Sequence, residues 1–184
     1  MKKTLLMTGV LLLLMGCSSK KYYTIGNAID VESTINYTEE IDVVNVEVPR
    51  YLSDYILVRQ VSPYQVEPIE KAEWLTPMQR RLTNILIDYL QKSMNNPNVH
   101  FYPWSASKNP LLKISVKIKR FIAYKKEVNL EASYKITNLK TGTVNNKFFN
   151  TNKKIESETI DSMMSAMEEA YLELSEHIKG EIIK

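Results

Sequence analysis

Leu112-Lys113-Ile114-Ser115-Val116-Lys117-Ile118-Lys119 and then Val128-Asn129-Leu130-Glu131-Ala132-Ser133-Tyr134-Lys135-Ile136-Thr137 decide the fold. Apolar and polar side chains alternate strictly in both, so each extended chain has one greasy and one wet face. That is the mark of antiparallel strands with one side on a core and the other in water. Lys125-Lys126-Glu127 joins them without the glycine that a tight hairpin favours, so the register stays open. Thr141-Gly142 then turns the chain into a weaker third strand near Val144 to Phe149.

Downstream, Ile160, Met163, Met164, Met167, Tyr171, Leu174 and Ile178 recur at helical spacing, which predicts a closing helix from about Thr159 to Ile182. Upstream, Leu82, Ile85, Leu86, Tyr89 and Leu90 form the apolar face of another helix, 77 to 93, stopped by Asn95-Asn96-Pro97. Thr76 has the character of its N-cap, Pro77 fits the first helical position, and Gln79 completes a capping-box pattern. Strands are expected at Ile41 to Val48, ended by Pro49, at Tyr55 to Val61, and at Val99 to Tyr102. Pro63 and Pro68 bracket either a loop or a short extra strand around Tyr64 to Val66. The helix before Val99 suits a crossover between parallel strands. The expected fold is therefore α/β: one domain, residues 41–184, with a mixed sheet and two long helices packed on it.

The amino-terminal end has a different character. Lys2 and Lys3, an apolar run from Leu5 to Leu14, and Leu14-Met15-Gly16-Cys17 reproduce the three parts of a secretory signal ending in a bacterial lipobox. The apolar run is too short for a spanning helix, which needs about 20 residues. Residues 1–16 are thus expected to be a signal peptide and Cys17 the lipidated mature terminus. Residues 17–40 are polar and read as a tether, whose 23 residues from Ser18 would reach about 75 Å if extended. Within it, Tyr22-Tyr23-Thr24-Ile25 is either a short strand or a set of aromatics packed at the membrane interface. Ser18 after Cys17 lacks the aspartate that retains lipoproteins in the inner membrane, which points to the outer membrane.

Loss of Lys2 and Lys3 with the signal leaves 22 basic against 21 acidic side chains. A nucleic-acid binder normally shows a strongly basic face, and a chain this near to neutral gives that reading little support. Cys17 is the sole cysteine, so no disulfide can form within the chain. His100 and His177 sit in no metal-ligand spacing, and no glycine-rich phosphate loop, Gly-x-Ser-x-Gly or His-Glu-x-x-His occurs. The adjacent carboxylates Glu168-Glu169 diverge on a helix and suit solvation better than acid-base work. No catalytic residue, metal or cofactor is expected. Trp74 and Trp104 are large enough to matter to the core, and at least one is expected where helix meets sheet.

Pro49-Arg50-Tyr51-Leu52 has two readings. An aromatic beside an arginine on a loop is the composition of an interface hot spot, which makes Arg50, Tyr51 and Leu52 candidate partner contacts. The other reading has Tyr51 and Leu52 folding back to plug one end of the sheet.

Several landmarks together resemble a known family. Tyr22-Tyr23-Thr24-Ile25, Val48-Pro49-Arg50-Tyr51-Leu52, Ile56-Leu57-Val58-Arg59, Trp74-Leu75-Thr76-Pro77, Tyr102-Pro103-Trp104, the strand Val116 to Phe121, Leu130-Glu131-Ala132-Ser133-Tyr134 and the closing helix around Ala166 and Ala170 fall in the order seen in the PqiC (YmbA) lipoproteins. Two features depart from that pattern: Ser53-Asp54-Tyr55 stands where relatives usually carry a more basic stretch, and the turn at Lys125 to Glu127 is free of glycine. The resemblance implies an α/β auxiliary lipoprotein of ABC-type transport, without catalysis, anchored to the outer membrane on its periplasmic side. It implies an MCE-domain transport protein as partner, phospholipid as cargo, and a homo-oligomer as an option. Trp74, Tyr102 and Trp104 are its structural landmarks here. The polar sheet faces would then line a partner surface or an oligomeric opening, against the simpler reading of plain solvent exposure.

Overall fold

The computed structural model describes residues 19–26, 29–33, 35–105 and 108–184. The expected signal peptide, residues 1–16, and the expected lipidation site Cys17 lie outside the described residues. Eight strands and three helices follow in the order β1 (Lys21–Tyr23), β2 (Ile41–Val44), α1 (Arg50–Ser53), β3 (Ile56–Ser62), β4 (Gln65–Trp74), α2 (Met78–Ser93), β5 (Val99–Tyr102), β6 (Leu112–Tyr124), β7 (Glu127–Asn138), β8 (Val144–Lys154) and α3 (Ile160–Ile182). The expected mixed α/β sheet with two long helices is present.

The alternating stretch forms its centre. β6 and β7 pair antiparallel from Leu112↔Asn138 to Tyr124↔Glu127, with one irregularity between Ile118 and Arg120. Lys125 makes the tight turn by itself adopting φ 56°, a conformation usually left to glycine. β8 continues the meander to Lys154, further than its polar sequence predicts.

β7 covers one edge of β6 along its whole length, so every other neighbour meets β6 on the opposite edge. There β2 pairs at Leu112–Ile114, Glu47 bridges to Lys117, and β3 arrives at Tyr124, all parallel. Between the last two lies a gap in the ladder. The Tyr51 hydroxyl fills it, accepting the Phe121 N–H at 2.9 Å. β5 adds to the far side of β2 in parallel, while β4 and then β1 extend the sheet from β3.

Buried Leu82, Ile85, Leu86 and Leu90 of α2, which lies against β2 and β5, and Met163, Met167, Tyr171 and Leu174 of α3, which lies against β6, β7 and β8, share one hydrophobic core. Tyr171 donates its hydroxyl to the Leu82 carbonyl at 2.9 Å, which ties the two helices together inside the core. Thr83, mid-helix and buried, accepts the Val46 N–H at 2.9 Å and so anchors the chain just after β2.

Three expectations need correction. The chain before Ile41 is not a free tether. β1 pairs with β4, Ile25 and Ile29 are buried, Arg81 donates to the Ile25 carbonyl at 2.6 Å, Lys92 donates to the Ile29 carbonyl at 2.9 Å, and the Tyr37 N–H donates to the Met94 carbonyl at 3.0 Å. Gly26, at φ 77°, passes so close to α2 that a β-carbon would lie 2.4 Å from Ile85 Cγ1. Few apolar residues made the segment look solvated, yet backbone carbonyls meeting long α2 cations hold it down. Next, α2 begins one residue later than expected: Pro77 is the N-cap, no side chain caps it, and the Thr76–Gln79 box does not form. Finally, of the two readings around Tyr64 to Val66 the strand holds but not its shortness: β4 pairs with β3 as a hairpin and runs ten residues through Pro68.

Candidate functional site

One end of the sheet carries a cleft of about 410 Å³. It opens between the β3–β4 hairpin, the β6–β7 turn and the segment linking β8 to α3. These meet because β3 and β6 run parallel at Gln60↔Tyr124 and β8 ends opposite Glu127. Ile69, Ala123, Ile155, Ile160 and Met163 make an apolar lining, while Arg59, Lys125 and Lys126 bring cations and Glu156 and Glu158 bring carboxylates. Lys154 pairs with Glu156 at 3.2 Å, and Arg120 donates to the Gln60 side chain at 2.7 Å. A cavity of this size with an apolar wall and a polar rim suits an amphipathic ligand. Among the described residues no three His, Cys, Asp or Glu side chains gather as a metal site.

Beside the cleft, α3 lies on β8 through a polar seam. Lys153 bridges Glu169 at 2.8 Å and Glu173 at 2.9 Å, Thr151 donates to Glu173 at 2.9 Å, and Lys147 and Asn145 reach Glu181 at 3.4 and 3.2 Å. Burial pushes the Glu173 carboxyl up, but Lys153 and Thr151 outweigh it and hold the group below its ordinary value. The hydrogen bond from Lys184, with Asn145 and Lys147, lowers Glu181 to about 2. On α3's other flank burial again opposes the hydrogen bonds from Lys179 and Tyr89, which leave Glu176 lowered. Tyr134 faces His177, oxygen to Nδ1 2.8 Å, and burial with the Glu181 charge pushes its phenol up to about 12.

The opposite, outward face of the sheet is cationic and aromatic. Lys113 lies 3.6 Å from the ring centre of Tyr102, and Lys119 lies 4.5 Å from that of the exposed Phe148. A shallow depression there is lined by Glu47, Lys117, Lys135 and Phe148. Lys117 is paired with Glu47 at 3.1 Å.

The residues singled out from the sequence scatter over the fold and avoid the cleft. Arg50 is exposed, but Leu52 is 2% accessible and Tyr51 spends its hydroxyl on Phe121, so that pair plugs the sheet. Trp74 is 1% accessible, and its Nε1 has no hydrogen-bond partner among the described residues. Trp104 is 85% accessible, after the cis Tyr102-Pro103 bond.

The model of the ABC-type transport auxiliary lipoprotein component matches residues 23–179, from β1 to the last turn but one of α3. The chain belongs to that family. The resemblance to the PqiC (YmbA) lipoproteins is thereby borne out, and with it the assignment as a lipoprotein auxiliary to ABC-type transport.

Solved structures share the fold of this auxiliary lipoprotein at low identity. The crystal structure of an uncharacterized protein aligns with TM-score 0.74 and 19% identity, over 90% of this chain and 99% of that one. Protein XCC0632 from Xanthomonas campestris aligns with TM-score 0.72 and 13% identity, over 89% and 93%. No curated protein matches the auxiliary lipoprotein by sequence. The cleft was missed from the sequence because its walls come from four separate segments. Its sign in the sequence is the pair Lys125-Lys126, which reads as ordinary solvated charge.

Proposed function

We propose that this auxiliary lipoprotein is a non-catalytic subunit of an MCE-type intermembrane lipid transport system, anchored by Cys17 to the periplasmic side of the outer membrane. Family membership across residues 23–179 behind a lipobox carries the reading. The cleft supports it, because an apolar lining rimmed by Arg59, Lys125 and Lys126 is compatible with the acyl and phosphate parts of a phospholipid. Of Arg50, Tyr51 and Leu52, Arg50 is the one left to meet the MCE-domain partner, since Tyr51 and Leu52 are committed to the sheet. Affinity purification of the full-length protein from detergent-solubilised membranes tests this. An MCE-domain protein and phospholipid should co-purify, with the partner reduced in Arg50→Glu. Recovery with an unrelated secretion complex, and no MCE-domain protein, would overturn it.

A further inference from the structure

The β3–β4 hairpin projects in the direction from which the lipid anchor enters the fold. β1 pairs with β4 in parallel, Lys21 opposite Ala72, so the chain upstream of Lys21 heads along β4 towards the hairpin tip and not away from it. Only three residues lie between Cys17 and Lys21, a span of at most about 14 Å over the four steps. The tip, at Tyr64, lies eight residues along β4 from Ala72, roughly 26 Å at strand rise. The hairpin therefore outreaches the anchor.

Its composition fits where it must go. From Gln60 to Val66 no residue is charged, in a chain that is 24% charged. Tyr64 is 99% accessible, and Val61 and Val66 are also exposed. An exposed aromatic flanked by aliphatic groups and free of charge enters a bilayer interface at little cost, whereas a charged tip would not. Lys125 and Lys126, at the adjacent β6–β7 turn, are exposed beside it and can stay at headgroup level. Glu156 and Glu158 share this end, Glu156 paired with Lys154.

We infer that the β3–β4 tip, centred on Tyr64, seats in the interface of the bilayer that holds Cys17, so the domain stands on the membrane with its cleft facing the lipid. This rests on lipidation of Cys17. The thioether at Cys17, the sole cysteine, leaves Tyr64→Cys as the only free thiol, open to an environment-sensitive fluorophore. The full-length lipidated protein would be reconstituted into vesicles of phosphatidylethanolamine and phosphatidylglycerol, some carrying spin-labelled lipid, and floated. Expected is blue-shifted emission quenched by the spin label at position 64, and neither effect at Lys140→Cys, in the β7–β8 turn at the opposite end of the β6–β7 ladder. Protein that floats while its position-64 label stays in water overturns the inference and leaves a protein partner as the tip's occupant. Protein that fails to float refutes the lipid anchor and the inference with it.

Discussion

Tyr51→Phe removes one oxygen from a place where the backbone depends on it. Phe121 is wholly buried, and its N–H points to the edge of β6 between Glu47 and β3, where no strand is available to accept it. The Tyr51 hydroxyl does so at 2.9 Å. Phenylalanine keeps the ring and its packing, so the loss is confined to a buried donor left unpaired, about 1–3 kcal/mol. At about 2–4 °C per kcal/mol for a chain of this size, the melting temperature should fall by roughly 2–12 °C. Circular dichroism melts of the two purified proteins measure the shift, and hydrogen exchange at the Phe121 amide locates it. An unchanged melting temperature with the Phe121 amide as protected as before would refute the argument. Partner binding by the folded variant should persist, because the hydroxyl faces inward.

The two tryptophans should separate sharply in thermal melts: Trp74→Ala should cost about 3–5 kcal/mol, while Trp104→Ala, on the exposed side, should stay within about 0.5 kcal/mol. Stability should also depend on pH through the carboxyls of α3. Glu173, Glu176 and Glu181 are lowered in the folded state, so their contribution is complete above the unfolded carboxylate range near pH ~4.3 and lost as pH falls towards the folded values. Melts from pH 7 down to pH 2 should show that decline, and a flat profile would contradict the seam. Cys17→Ala should move a folded protein from the membrane to the soluble fraction, since stable anchoring needs two or more acyl chains. Recovery of that variant in the membrane would count against the anchor.

Periodicity carried the centre of the fold. The alternation in β6 and β7 and the stripes in α2 and α3 are set by burial on one face, which the sequence writes directly. Elsewhere the forces were not local. β1 and the chain to Tyr37 are held by Arg81 and Lys92 reaching backbone carbonyls, an interaction with no sequence period. β8 packs on α3 with Asn145, Thr151 and Lys153 facing glutamates, so its inward face looks as polar as its outward one. β4 carries Pro68 and a left-handed Lys71, which read as loop. Tyr51 and Leu52 showed a related ambiguity, for an apolar residue after a strand looks alike whether it faces a partner or the core. Burial and the Phe121 contact decided for the core.

Lipid transfer between membranes tests the central claim most directly. Donor vesicles would carry the MCE-domain transport protein and fluorescent phospholipid, and acceptor vesicles the lipidated auxiliary protein. Transfer should rise when the lipidated protein is present and drop to background with Cys17→Ala added in its place. Equal transfer with and without the anchored protein would contradict a role in handing lipid between membranes.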